Sequence, residues 1–162
     1  QRGDGLAARL DHLFRWAADE GYERAVIAAS DSPHLPAAAA AAAVATLCDH
    51  DLVFGRTLDG GYYLIGLRGA PDVLTGAPMS SGREADALVA RAAGLDLRTA
   101  ELPATFDVDV ASDLDVLADA LAPDGAAAPF TWAALRRLRL DGAWGRIGAA
   151  AGGGDKIHLP DI

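Results

Sequence analysis

The feature that most narrows what this chain can fold into is a change of hydrophobic period that recurs along it. Behind a capping Asp4, the residues Leu6, Leu10, Leu13, Phe14 and Ala17 return at helical spacing until Gly21, which predicts an amphipathic helix. The next apolar run, Arg24 to Ala29, is too short for a helix and β-branched at its centre, and it ends in Ser30-Asp31-Ser32-Pro33. It reads as a buried strand whose carboxyl end opens into a loop. Pro36 suits a first helical turn and an alanine run follows it, predicting a helix to about Cys48. Leu52 to Phe54 and Tyr62 to Leu67 read as strands joined by the glycine-rich "GRTLDGG". The spacing then predicts a helix over Arg83 to Ala93, a strand over Asp96 to Leu102, a short strand end at "FDVDV" and a helix over Ser112 to Leu121. Helices alternating with short buried strands imply a layered α/β sheet.

With 162 residues, 51% of them hydrophobic, there is material for one core. The formal charge of -9 opposes a phosphate backbone, so nucleic acid is not an expected partner. The one basic cluster, "LRRLRL" at Leu135 to Leu140, reads as a solvated helix face. The alanine-rich run ends in Asp49-His50-Asp51 and is not a membrane span, and the lone Cys48 cannot form an intrachain disulfide. No membrane partner and a cytoplasmic location are the resulting expectations.

Three clusters carry chemistry, and each falls where loops leave the carboxyl ends of strands, the ligand-binding edge of an open α/β sheet. Asp31 follows the first strand, where a carboxylate either ligates a divalent cation or caps the helix behind Pro36. "DGGYYLIGL" begins with Asp59, a hydroxyl acceptor, and Gly60 and Gly61, which permit positive φ and close approach of a ligand; a plain hairpin accounts for the same residues. Tyr62 and Tyr63 alternate, one toward the core and one toward the opposite face, where it can stack on a ligand. Asp107 and Asp109 are two apart on one side of an extended segment, an acidic pair that bound Mg²⁺ or Mn²⁺ would compensate. Asp113 and Asp115 lie in a first helical turn, where the helix dipole already favours negative charge. No nucleophile stands out, and His34 reads as a loop residue rather than a base.

In this order, "GDGLAARL", "AVIAASDSPHLP", "DGGYYLIGL" and "FDVDVASDLDVL" resemble a bacterial family of glycosyltransferase-A-like proteins. That family includes arsenosugar-biosynthesis glycosyltransferases and is distantly similar to 2-phospholactate guanylyltransferases and molybdenum-cofactor nucleotidyltransferases. The resemblance spans Gly3 to about Leu121. It implies an α/β, three-layer nucleotide-diphospho-sugar transferase fold with a mixed sheet. It also implies a metal near Asp31, Asp107 and Asp109, with Asp31 and Asp59 catalytic and Ser32, Gly60, Gly61 and Tyr62 on the substrate side. Three departures stand out. The strand and nucleotide-holding loop with which members begin do not precede Gln1, so the domain is expected to be N-terminally incomplete. Arg56-Thr57-Leu58 replaces a proline before the "DGGY" motif, and Val110 replaces a capping Thr, leaving Ser112 as the expected cap.

The expected organisation is residues 1–122 as the later part of the core, and 123–162 as a linker, a short helix over Thr131 to Leu140 and a flexible tail. Gly152 to Gly154 suggest a tail that orders on a neighbouring subunit, making a homo-oligomer an expected state. The leading function is metal-dependent transfer of a glycosyl group from a nucleotide sugar to a small acceptor. Nucleotidyl transfer to a small phosphorylated acceptor, or a non-catalytic binding or oligomerisation domain, are the alternatives.

Overall fold

A computed structural model describes residues 4–140, so Gly152 to Gly154 and the tail behind them lie outside the described residues. The elements are α1 (Leu6–Asp19), β1 (Arg24–Ala28), α2 (Ala37–Thr46), β2 (Leu52–Thr57), β3 (Tyr62–Arg68), α3 (Glu84–Gly94), β4 (Thr99–Thr105), α4 (Asp113–Leu121) and α5 (Pro129–Leu140). By internal contact they form two compact units, residues 4–29 with 37–106, and residues 30–36 with 107–140. Among the described residues no helix is long and apolar enough to cross a membrane.

The first unit holds a four-stranded sheet in the order β1-β3-β2-β4. Strand β3 runs antiparallel to both its neighbours, whereas β2 and β4 are parallel, so the sheet is mixed. Consecutive residues of a strand face opposite sides, and apolar residues fill both. Leu52 and Phe54 of β2, with Ile65 and Leu67 of β3, pack against Leu10 and Phe14 of α1 and Ala85, Leu88 and Ala92 of α3. On the other face Gly66 leaves room for Val26, Val53 and Leu47, the residue just behind α2; a Cβ on Gly66 would lie 2.8 Å from Val53 Cγ1. Helices on both faces of one sheet give three layers.

Four local features differ from the sequence expectations, each for a physical reason. Asp96 adopts a left-handed φ of 54° that closes the turn after α3, so β4 starts at Thr99 rather than at Asp96. Helix α5 opens two residues before Thr131, at Pro129, whose fixed φ suits a first helical position. Residues 106–110, expected to form a strand end, take no regular structure beyond β4. Gly5, not Asp4, stands at the N-cap of α1, and no side chain caps that helix. The "LRRLRL" arginines, Arg136, Arg137 and Arg139, are exposed, and Arg139 meets Asp115 at 3.4 Å.

The β2–β3 ladder carries a bulge. Gly55 pairs with Leu64 and Arg56 with Tyr62, so Tyr63 is the extra residue. The bulge turns the Tyr63 ring across Gly55, and its hydroxyl donates to the carbonyl oxygen of Pro103 at 3.0 Å. Any Cβ at position 55 would lie 2.1 Å from Tyr63 Cζ. Where the parallel strands begin, Asp51 accepts hydrogen bonds from the backbone N–H and guanidinium of Arg98, each at 3.0 Å.

Gly55→Ala is expected to destabilise the chain by about 1–3 kcal/mol through overpacking. Gly94→Ala, where a Cβ would meet nothing within 4 Å, is expected to be neutral or slightly stabilising when both variants are unfolded in urea beside the parent. The Arg98 hydrogen bonds hold Asp51 down at about 2, below its ordinary 3.8. The pair therefore contributes stability above pH 3.8 that is lost as pH falls toward 2. Acid unfolding of Asp51→Asn should show a shallower pH dependence across that window.

Candidate active site

The second unit is assembled around two turns. After β1, the carbonyl of Ser32 accepts the N–H of Leu35 at 3.1 Å, with Pro33 presetting the turn between them. Ser32 itself is buried, at 4% exposure. The carbonyl of Asp31 accepts the N–H of Val108 at 2.9 Å, which joins this turn to the segment that leaves β4. Ahead of α4, the Asp113 carboxylate accepts the N–H groups of Asp109 and Val110, both at 2.9 Å. Ser112, the expected cap, makes no side-chain cap bond. An aspartate in the first turn can reach back to the two N–H groups preceding the helix, and the dipole there favours its charge.

These anchors bring Asp31, Asp107 and Asp109 together, with one carboxylate oxygen of each within 4.8 Å of the others. Asp31 and Asp109 are exposed and Asp107 is half-buried. Octahedral Mg²⁺ or Mn²⁺ bonded at about 2.1 Å holds its ligand oxygens about 3–4 Å apart, so small side-chain rotations suffice to close the three around a cation. The donor set fits as well, since hard divalent cations prefer carboxylate oxygens. His34, in the same loop, has its pKa lowered by burial, which keeps the imidazole neutral at neutral pH.

The "DGGYY" residues belong to the first unit, and there the chain's own backbone makes use of both glycines. Asp59 Oδ1 accepts the Thr57 hydroxyl at 2.5 Å and the Gly61 N–H at 3.0 Å. Gly60 has φ +98°, and a Cβ on it would lie 2.1 Å from the carbonyl oxygen of Gly82. Its own carbonyl accepts the N–H of Ala85 at 3.1 Å, one of the donors a helix N-terminus leaves unpaired. Glu84 completes that terminus by accepting the N–H of Ser81, while Ser81 Oγ accepts the N–H of Arg83 at 3.3 Å. Tyr62 packs against the core under α1 and α3. Its hydroxyl is buried with no hydrogen-bond partner among the described residues, and burial, helped by the nearby Glu84 charge, pushes its pKa up to about 12. Asp113 was read from sequence only as a dipole-favoured first-turn residue, and Glu84 was not singled out.

Residues 1–81 match the family described as "Uncharacterized protein conserved in bacteria (DUF2064)", which is half of the 162-residue chain. The chain belongs to that family. No curated protein matches the chain. Among solved structures it is similar to a protein of Desulfovibrio desulfuricans G20 described as a "putative nucleotide-diphospho-sugar transferase". The two are 32% identical with a TM-score of 0.82. The match covers 91% of this chain and 64% of the other, so this DUF2064 chain spans less than two thirds of that relative. The three-layer α/β fold with a mixed sheet, expected from the resemblance, is thus the fold of this family member, and it is partial relative to the solved structure.

Removing the Tyr62 hydroxyl relieves a buried polar group of its desolvation cost. Tyr62→Phe is therefore expected to leave the free chain as stable or up to about 1 kcal/mol more stable by thermal melting, and a loss above that size would contradict an unbonded hydroxyl.

Proposed function

We propose that this chain contributes the cation site of a metal-dependent transferase that moves a glycosyl group from a nucleotide sugar to a small acceptor. The observation carrying the proposal is the meeting of Asp31, Asp107 and Asp109, contributed by the segments that follow β1 and β4. The likeness to the Desulfovibrio desulfuricans relative, itself described as a nucleotide-diphospho-sugar transferase, supports the same reaction class.

Three carboxylates this close repel one another, and a divalent cation turns that repulsion into attraction. When bound, the cation supplies neutralisation of the charge that gathers on the departing nucleoside diphosphate. In the transfer itself the acceptor hydroxyl oxygen bonds to the anomeric carbon. The bond from that carbon to the phosphate oxygen breaks with its electron pair going to the nucleoside diphosphate, and the hydroxyl proton passes to solvent. In this reading Asp31 is the catalytic carboxylate, and the buried Ser32 holds its turn. Asp59 sets the conformation of the Gly60-Gly61 turn through its Oδ1, and Tyr62, next in the chain, packs against the core with its hydroxyl buried.

Titration with Mn²⁺ should give saturable binding, and a concentration of 100 times the Kd should stabilise the chain by about 2.7 kcal/mol in thermal melts. Asp31→Asn and Asp109→Asn are each expected to weaken that binding about tenfold or more, the effect of losing one charged ligand. With nucleotide sugars, release of nucleoside diphosphate supports glycosyl transfer. Release of pyrophosphate from a nucleoside triphosphate would move the reading to nucleotidyl transfer, and no metal-dependent binding of any nucleotide would point to a non-catalytic binding domain.

A further inference from the structure

Two of the three carboxylates border a cavity. Asp31 and Asp109 form part of the lining of a cavity of about 440 Å³ within the second unit. That volume is in the range of about 300–1,000 Å³ typical of small-molecule sites. The rest of the wall is almost entirely aliphatic. Leu114 and Leu117 come from α4, and Leu135 and Leu138 come from α5, with Val108 and Pro33 between them. Leu117 and Leu135 are buried, at 2% and 3% exposure, whereas Leu114 and Leu138 are half-buried. Among the described residues, Ser30 and Thr131 are the only polar side chains that line it besides the two carboxylates.

This polarity is a poor match for a nucleotide or an unmodified sugar. Each buried hydroxyl or phosphate oxygen needs a hydrogen-bond partner, and aliphatic walls supply none. It matches a molecule with two ends: an apolar body that loses water against the α4 and α5 leucines, and an oxygen held where Asp31 and Asp109 lie. We infer that the acceptor is a small amphipathic alcohol, seated with its apolar body between α4 and α5 and its hydroxyl toward the carboxylates. The inference rests on the transferase reading above and narrows it: the cation holds the departing nucleoside diphosphate, and the acceptor hydroxyl has to reach the anomeric carbon that the diphosphate leaves. The lining agrees: among the described residues no lysine or arginine borders the cavity to hold an anionic acceptor.

The test uses the whole chain and n-hexanol as the probe, with glycerol as its polar counterpart, followed through the methyl resonances of the leucines. Saturable shifts are expected with hexanol and none with glycerol. Ala134 lines the cavity from α5 and is exposed, so Ala134→Phe should fill it without disturbing the core and weaken hexanol binding about tenfold or more. Ala133→Phe, equally exposed on the same helix but outside the lining, should bind as the parent does. Mn²⁺ then reports orientation: the carbon bearing the hydroxyl should relax faster than the terminal methyl, and Asp109→Asn should abolish that difference while hexanol still binds. Equal hexanol affinity in Ala134→Phe and the parent, or faster relaxation at the methyl end, overturns the inference while leaving metal binding and the transferase reading intact. Failure of Mn²⁺ to bind the parent chain overturns the transferase reading, and with it the acceptor role.

Discussion

Everything in the sheet depends on β3 having a hydrogen-bonded neighbour on each side. Tyr63 to Leu67 is buried, and a strand enclosed by helices on both faces cannot turn unpaired backbone groups to water. Pairing with β1 and β2 satisfies both edges at once. Because β3 opposes both, β1 and β2 run the same way, and β4 joins parallel to β2. The carboxyl ends of β1 and β4 therefore point in a common direction. The segments that follow them are the ones that carry Asp31, Asp107 and Asp109, so the direction of one central strand precedes any acidic chemistry.

The elements whose signal is a repeating period were legible in the sequence. Leu10, Phe14 and Ala17 mark the buried stripe of α1, and the unbroken run of β3 marks a strand covered on both faces. What escaped were features set by single residues responding to distant ones. Asp96 ends a turn because its backbone goes left-handed, and nothing in the period of residues 96–102 announces that. Tyr62 and Tyr63 do face opposite ways, but the bulge opposite Gly55 decides which of them meets α1 and α3. Period alone would have put Tyr63 on the side of Ile65 and Leu67.

The acidic residues follow the same division. Asp107 and Asp109 drew notice for lying two apart on one side of a strand, yet they meet Asp31 on an irregular segment. The residue that shapes that segment is Asp113, whose dipole-favoured position is true but incomplete, since its carboxylate also fixes the N–H groups of Asp109 and Val110. The cavity beside them was invisible from sequence, because it requires leucines from two helices to face each other across about twenty residues of chain.

The approach of Gly60 to Gly82 has a consequence for how the chain can vary over time. Both residues hold positive φ, +98° and +71°, and each points its absent side chain at backbone belonging to the other's turn, the Gly82 carbonyl at 2.1 Å and the Asp59 carbonyl at 3.1 Å. Most tight pairs of positions drift together, one growing as the other shrinks. This pair has no such exchange open to it, since neither residue has volume to give up and each needs glycine for its own dihedral angle. Two positions 22 residues apart in sequence are therefore frozen jointly, and the turn and the helix it docks on can diverge only around them.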